Sequence, residues 1–123
     1  MLALENLKYD ANGLIPAVVQ DAENGDVLMV AYMNKESVEA TVSTGRATFW
    51  SRSRQKFWIK GESSGNVQKV KSLSVDCDQD CLLVKVVQTG AACHEGYRSC
   101  FFRKVEGDGA SLKVVSEKLM EKY

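Results

Sequence analysis

The first half of the chain consists of short apolar runs separated by turn residues, a pattern that predicts β-strands. Residues 14–21 and 26–33 are two such runs, and they flank Asn24-Gly25, a pair typical of a tight hairpin turn. Pro16 places the first run at a sheet edge, because proline cannot donate a ladder hydrogen bond. The sequence therefore predicts a β-hairpin whose first strand is an edge strand.

Helix signals occur at three places along the chain. Asn34 is typical of an N-cap, so residues 35–44 predict a short helix that ends at Gly45. Residues 1–13 predict a short helix or a peripheral arm. Residues 110–123 carry apolar positions at helical spacing, which predicts an amphipathic C-terminal helix.

The remaining segments favour strands and complete the expected fold. Alternating or β-branched residues predict strands at 46–51, 57–60, 66–75, 82–88 and 99–105. The E-G-D-G stretch at residues 106–109 predicts a linker before the C-terminal helix. We therefore expect an α+β fold of mostly antiparallel strands, with one short internal helix and a C-terminal helix.

Length and composition limit the class of protein. The 123 residues support one compact domain spanning 1–123, and 45% apolar residues suffice for a core without disulfides. A net charge of zero gives no reason to expect nucleic acid as a partner. The N-terminus lacks the pattern of a secretory signal, and the longest apolar run, residues 27–33, is too short for a membrane span. We expect a cytoplasmic protein with reduced cysteines.

Residues 76–101 concentrate the side chains that bind metals. This window holds all four cysteines (Cys77, Cys81, Cys93, Cys100) and the single histidine. Their spacings of 4, 12 and 7 match no zinc-finger pattern. A catalytic zinc with three protein ligands, a closed structural zinc with four cysteines, and buried apolar cysteines are the alternatives that these residues leave open.

The strand predicted between the cysteines restricts how one zinc could be bound. Residues 81–88 would span roughly 26 Å at about 3.3 Å per residue if extended. Cys77 and Cys93 would then lie beyond opposite ends of that strand. Two chains related by a two-fold axis would bring them together directly, so a zinc site shared between subunits of a homodimer is expected.

Three acidic residues in the same window suggest a second metal. Asp76, Asp78 and Asp80 alternate with other residues, and an extended backbone would place their carboxylates on one side. Three carboxylates repel one another unless a cation joins them, which favours magnesium. A solvated acidic turn is the alternative.

His94 and two polar turns are the candidates for substrate chemistry. His94 follows Cys93 in a glycine-containing loop, which favours general acid/base catalysis over a purely structural role. Guanidinium and hydroxyl groups in the two turns suit phosphate recognition, although solvated basic turns are equally compatible with the pattern. The substrate-binding candidates are Arg52, Ser53, Arg54, Lys60, Glu62 and Ser63.

Several ungapped stretches resemble the phosphoribosyl-AMP cyclohydrolase family of histidine biosynthesis. They cover roughly residues 14–104 and read L-I-P-A-V-V-Q-D (14–21), V-L-M-V-A-Y-M-N (27–34), T-G-R-A-T-F-W-S-R-S-R (44–54), K-G-E-S-S-G-N-V-Q (60–68), D-C-D-Q-D (76–80) and A-C-H-E-G-Y-R-S-C-F (92–101). The resemblance implies an intertwined homodimer that hydrolyses the N1–C6 bond of the adenine ring of phosphoribosyl-AMP with a zinc-bound hydroxide. It implies zinc ligands Cys77, Cys93 and Cys100 and magnesium ligands Asp76, Asp78 and Asp80, with His94 moving the proton.

The sequence departs from the family pattern at two positions. Cys81 stands where a small apolar residue is expected, so it is expected to be a bystander. Ala91 stands where the family often has proline. Some relatives carry a fused pyrophosphohydrolase domain, whereas this chain is expected to be the single-activity form. The alternative function is a non-enzymatic interaction module built on four zinc-binding cysteines.

Overall fold

The computed structural model describes residues 2–123, with side chains described from Leu4 onward. Met1, the first residue of the predicted N-terminal arm, lies outside the described residues. The arm contains one helical turn, α1. In chain order the elements are α1 (Leu2–Glu5), β1 (Ile15–Asp21), β2 (Val27–Met33), α2 (Lys35–Thr44), β3 (Thr48–Ser51), β4 (Lys56–Ile59), β5 (Gln68–Val75), β6 (Leu82–Gln88), β7 (Arg103–Glu106) and β8 (Ser111–Val114).

Four strands form the main sheet in the order β2-β1-β6-β5. The β1–β2 and β5–β6 pairs are antiparallel, whereas β1 and β6 run parallel. Two antiparallel hairpins, β3–β4 and β7–β8, complete the strands. The predicted α+β fold of mostly antiparallel strands is confirmed.

The predicted edge position of Pro16 is wrong. β1 lies between β2 and β6, so Pro16 belongs to an interior strand. The pairing of β1 with β6 begins at Ala17, one residue later, which leaves the proline outside that ladder. Its place near the start of the strand, and not an edge, makes it compatible with the sheet.

One face of the main sheet builds the core. Alternate residues of β1 and β6 are buried on this face, as the period of two in a strand requires. Val38 of α2 and Phe49 of β3 belong to the same cluster, so the helix and the first hairpin cover this face.

The opposite face, which we call the outer face, presents Val18, Val30, Leu83 and Val87. Val18 pairs with Val30 on one side and with Leu83 on the other, which gives an apolar band across three strands. Val30 remains 49% exposed.

α2 has the predicted bounds and caps. The Asn34 side chain accepts from the Ser37 backbone N–H (2.9 Å), and the Ser37 hydroxyl accepts from the Asn34 N–H (2.8 Å). This reciprocal pair satisfies two N–H groups at the start of the helix. Gly45 ends the helix with a φ of 74°, a left-handed conformation that glycine adopts without strain.

The predicted C-terminal helix at residues 110–123 is wrong. Residues Ser111–Val114 form β8, which pairs with β7, and the predicted linker at 106–109 is the turn of this hairpin. The Gly109 N–H donates to Glu106 O (2.9 Å) and the Ala110 N–H to Asp108 Oδ1 (3.1 Å). This turn brings Val105 opposite Leu112 in the β7–β8 ladder, and pairing overrides the helical spacing. None of the helices within residues 2–123 is long and apolar enough to span a bilayer.

Candidate active site

Cys93 and Cys100 lie together in the segment that follows β6, which we call the thiol segment (residues 91–100). Their backbones are fixed by hydrogen bonds from Cys93 N–H to Tyr97 O (3.1 Å) and from Cys100 N–H to Leu28 O (2.7 Å). Although Cys100 as a whole residue is exposed, desolvation of its thiol raises the pKa of that thiol to about 12, helped by the charge of Cys93 and a hydrogen bond to it. Two neighbouring thiols ionise together far more readily when a cation binds both, and sulfur donors suit zinc.

Lys60 places an ammonium group beside this thiol pair. The residue is only 3% exposed, and its Nζ donates to Ala92 O and to the Tyr123 hydroxyl (3.0 Å). Burial lowers the pKa of Lys60, while the thiolate charges of Cys100 and Cys93 oppose that shift. A substrate phosphate would therefore have to reach a buried group, and the predicted role of Lys60 in substrate binding stays a prediction.

Arg98 ties the thiol segment to the main sheet through a contact that the sequence analysis missed. Its Nη2 lies 2.6 Å from Asp21 Oδ2, and the Asp21 side chain is 1% exposed. Arg98 Nη1 also donates to Gln88 O (3.2 Å) and Gly90 O (3.3 Å). The Arg98 hydrogen bond holds the pKa of Asp21 below its usual range, against the effect of burial. The only sequence signal was a single charge, Asp21, at the end of an apolar strand.

His94 extends from the same segment into solvent. Its side chain is 67% exposed, and its Nε2 lies 3.3 Å from Glu95 Oε1. A carboxylate at this distance can orient the imidazole ring. His94 is adjacent in sequence to a thiol of the pair, so it can reach a molecule bound there. Its predicted role as general acid/base stays a prediction.

Residues 76–81, which we call the acidic loop, lie at the opposite end of β6. The backbone here is not extended: the loop is a turn between the antiparallel strands β5 and β6, in which Asp76 N–H donates to Cys81 O (3.0 Å). Asp76 Oδ1 accepts from the N–H groups of Asp80 (3.0 Å) and Cys81 (3.2 Å). Alternation therefore does not determine where these carboxylates point.

The carboxylates of the acidic loop nevertheless interact with one another. Slight burial raises the pKa of Asp76. The hydrogen bond from the Asp80 N–H outweighs that effect and holds the pKa of Asp76 below its usual range. The hydrogen bond to Asp76 raises the pKa of Asp80, as do slight burial and the charges of Asp76 and Asp78. A bound cation such as magnesium would relieve repulsion of this kind between Asp76 and Asp80.

The four cysteines form two groups at opposite ends of β6. Cys77 is exposed in the acidic loop and Cys81 is partly buried at its end, whereas Cys93 and Cys100 follow the strand. Burial, with the nearby Asp76 charge, raises the pKa of Cys81. Across residues 2–123, no three His, Cys, Asp or Glu side chains of one chain are grouped closely enough to hold a metal. The chain supplies two sulfur ligands at one end of the strand and a third at the other.

The predicted substrate-binding residues also divide between the two ends. Arg52, Ser53 and Arg54 form an exposed turn between β3 and β4, where the Arg52 guanidinium lies 4.0 Å from the centre of the Tyr32 ring. Tyr32 pairs with Pro16, beside the start of β6, so this turn lies at the end of the sheet that carries the acidic loop.

A cleft of about 420 Å³ opens beside that turn. Arg52 lines it, whereas Ser53 and Arg54 do not; the other lining residues are Asn12, Leu14, Asn34, Trp50 and Gln55. Glu62 and Ser63 are exposed in the turn after Lys60, on the side of the thiol pair. Gly61 makes that turn possible, since a Cβ there would lie 2.4 Å from Val67 N.

Comparison with known proteins assigns these features to one class. The family model for phosphoribosyl-AMP cyclohydrolase matches residues 29–102, which include both the acidic loop and the thiol segment. A phosphoribosyl-AMP cyclohydrolase of Pelotomaculum thermopropionicum is 63% identical over 115 residues, covering 94% of this chain and 88% of that protein. The phosphoribosyl-AMP cyclohydrolase of Paracoccus denitrificans is 61% identical over 116 residues, covering 94% of this chain and 95% of that protein. That of Methanococcoides burtonii is 57% identical over 114 residues, covering 93% of this chain and 94% of that protein.

The match covers more than half of the chain, and relatives of this identity align along almost all of it. The chain belongs to the phosphoribosyl-AMP cyclohydrolase family. The resemblance inferred from the sequence motifs is thereby confirmed.

Proposed function

We propose that this protein hydrolyses the adenine ring of phosphoribosyl-AMP in histidine biosynthesis, in the cytoplasm. Water adds at C6, the N1–C6 bond breaks, and N1 takes up a proton, which gives the ring-opened formimino carboxamide ribotide. The observation that carries this proposal is the family match over residues 29–102, the part of the chain that holds every candidate metal ligand.

A zinc ion bound by Cys93 and Cys100 of one chain and Cys77 of a second copy is part of the proposal. The electrostatic coupling of the Cys100 thiol to Cys93 and the location of Cys77 beyond the other end of β6 support this ligand set. Zinc in such a site lowers the pKa of a bound water towards neutrality and so makes hydroxide available at neutral pH.

The proposed homodimer follows from the separation of Cys77 from Cys93 and Cys100, which lie beyond opposite ends of β6. Two copies that pack their outer faces about a two-fold axis would bring the acidic loop of each towards the thiol segment of the other. Val18, Val30 and Leu83 supply an apolar band of the kind that such packing covers. The cleft beside Arg52 would then lie near the partner's thiol pair.

Asp76, Asp78 and Asp80 would hold magnesium in this arrangement. Their mutual repulsion favours a bound cation, and their oxygen donors suit a hard metal. The cation would bring positive charge to the end of the sheet that carries Arg52, where a substrate phosphate needs it.

His94 would move the proton during ring opening. His94 directly follows Cys93 in the sequence, its imidazole is exposed, and Glu95 Oε1 lies 3.3 Å from Nε2. His94 would accept a proton from the attacking water and donate it to N1 of the adenine as the N1–C6 bond breaks. Arg52, Ser53 and Arg54 would bind one phosphate end of the substrate, and Lys60, Glu62 and Ser63 would contact the part near the thiol pair.

The alternative, a non-enzymatic module with four zinc-binding cysteines, has no specific observation in its favour. It requires Cys81 to join the other three cysteines, and the Cys81 thiol instead faces its own strand, 3.8 Å from Leu82 O.

The direct test is an absorbance assay of ring opening with purified protein, zinc and magnesium. We expect turnover of phosphoribosyl-AMP and none of AMP, since AMP lacks the N1 substituent that makes C6 electron-poor. Wild-type protein that binds zinc but leaves phosphoribosyl-AMP unchanged would overturn the proposed activity.

A further inference from the structure

Residues 115–123, which we call the strap, lie along the thiol segment without forming a helix or strand. Leu119 N–H donates to Gly96 O (2.9 Å), and Tyr123 N–H donates to His94 O (2.8 Å). Lys122 Nζ lies 3.3 Å from Glu95 Oε1. The strap therefore contacts each of the three residues that follow Cys93.

Gly96 is the point of closest approach. A Cβ at this position would lie 2.1 Å from Met120 O, and the backbone has a φ of +99°. Only glycine lets the strap lie this close to the thiol segment. The glycine that makes room for the strap therefore belongs to the thiol segment itself.

The Tyr123 hydroxyl joins three segments at one point. It donates to Ala91 O (2.8 Å) and accepts from Lys60 Nζ (3.0 Å). Lys60 Nζ also donates to Ala92 O. The carbonyls of Ala91 and Ala92 are thus held by Tyr123 of the strap and by Lys60, the residue after β4.

Apolar burial does not account for the strap. Its larger apolar side chains remain well exposed, Leu119 at 57% and Tyr123 at 39%. Its contacts are mostly hydrogen bonds to the backbone on either side of Cys93. A segment of this kind fixes the position of a loop more than it adds to the core.

We propose that the strap is a positioning element of the metal site and that Tyr123 is a positioning residue for Cys93. Its hydroxyl fixes the backbone before Cys93, so that this thiol stands beside Cys100 before zinc arrives. The inference rests on the proposed zinc site. Without the strap, binding zinc would first require ordering the thiol segment, which weakens affinity.

The test measures zinc affinity by competition with a chromophoric chelator, independently of turnover. Tyr123→Phe removes the hydroxyl and keeps the ring. We expect a zinc affinity about 10- to 100-fold weaker, the range for residues that orient metal ligands. Cobalt substitution should show weaker sulfur-to-cobalt absorption in this variant at equal metal concentration.

Tyr9→Phe is the matched control. Tyr9 is a partly buried tyrosine whose hydroxyl donates to Leu4 O (3.4 Å), so its hydrogen bond involves neither the thiol segment nor the strap. Its zinc affinity should stay within about twofold of wild type, since no residue of the thiol segment loses a partner.

Two outcomes would overturn the inference, and they can be told apart. Wild-type protein that binds no zinc would remove the proposed metal site and the strap's role with it. Wild-type protein that binds zinc, with Tyr123→Phe indistinguishable from Tyr9→Phe, would refute the strap's role alone. Should Tyr123→Phe fail to fold by circular dichroism, Leu119→Pro replaces it, because it removes the N–H donated to Gly96 O at an exposed position.

Discussion

Cys81 is the residue that separates a catalytic zinc site from a structural one. A closed site with four cysteines needs it, whereas the proposed site uses Cys77, Cys93 and Cys100. Cys81→Ala should keep about one zinc per chain and most of the activity. Alanine at each of the other three should lose both, because two thiolates bind zinc far more weakly than three. Zinc analysis by mass spectrometry measures the metal content of each variant, and the ring-opening assay measures its activity. Equal zinc loss in all four variants would contradict the assignment of Cys81 as a residue that does not bind zinc.

At the residue scale the sequence indicates candidate residue types but not the contacts that position them. The cysteines, His94 and the acidic triplet are predicted as site residues because metal chemistry needs those residue types and they cluster within residues 76–101, and their roles stay predictions. Arg98 and Tyr123 were missed, because their partners are distant in sequence: Asp21 for Arg98, Lys60 and Ala91 for Tyr123. Such contacts exist only after the chain has folded.

At the scale of elements, local signals were reliable where local interactions decide the structure. α2 was predicted with its caps because the Asn34 and Gly45 contacts lie within a few residues. The segment 110–123 was assigned wrongly because pairing with β7 outweighs its helical spacing. Pro16 was misplaced because the position of β1 depends on β6, whose first residue lies more than sixty positions later.

The Arg98–Asp21 pair links two such elements, the thiol segment and β1. Asp21→Asn should destabilise the protein at pH 7 by about 2–3 kcal/mol, since it leaves the Arg98 charge without its partner. Because the folded pKa of Asp21 is lowered, its contribution is present above its unfolded pKa and is lost as pH falls through the folded pKa. The difference in the free energy of unfolding between wild type and Asp21→Asn should therefore become smaller below about pH 4.

Urea unfolding between pH 7 and pH 3.5 measures this difference. Asp26→Asn is the control, since Asp26 is exposed in the same β1–β2 hairpin. An Asp21→Asn effect that equals the control, or that does not change with pH, would show that the ion pair contributes nothing to stability.

At the scale of the whole molecule, the candidate site residues of one chain lie in two separate groups. The thiol pair and His94 lie beyond one end of β6, and the acidic loop with Cys77 lies beyond the other. The outer face between them is apolar at Val18, Val30 and Leu83. In the proposed homodimer, a second copy packed on that face would complete both sites at once, which would explain why a small fold distributes its ligands in this way.

The measurement that tests this account most directly combines two inactive variants. Cys77→Ala and Cys93→Ala homodimers each lack one zinc ligand in every site. Mixed after mild unfolding, they form heterodimers in which one site lacks both cysteines and the other is intact. These heterodimers should show about half of wild-type activity, and a random mixture about a quarter. If each site were built within one chain, activity would stay at the background of the separate variants, and that result would contradict the shared site.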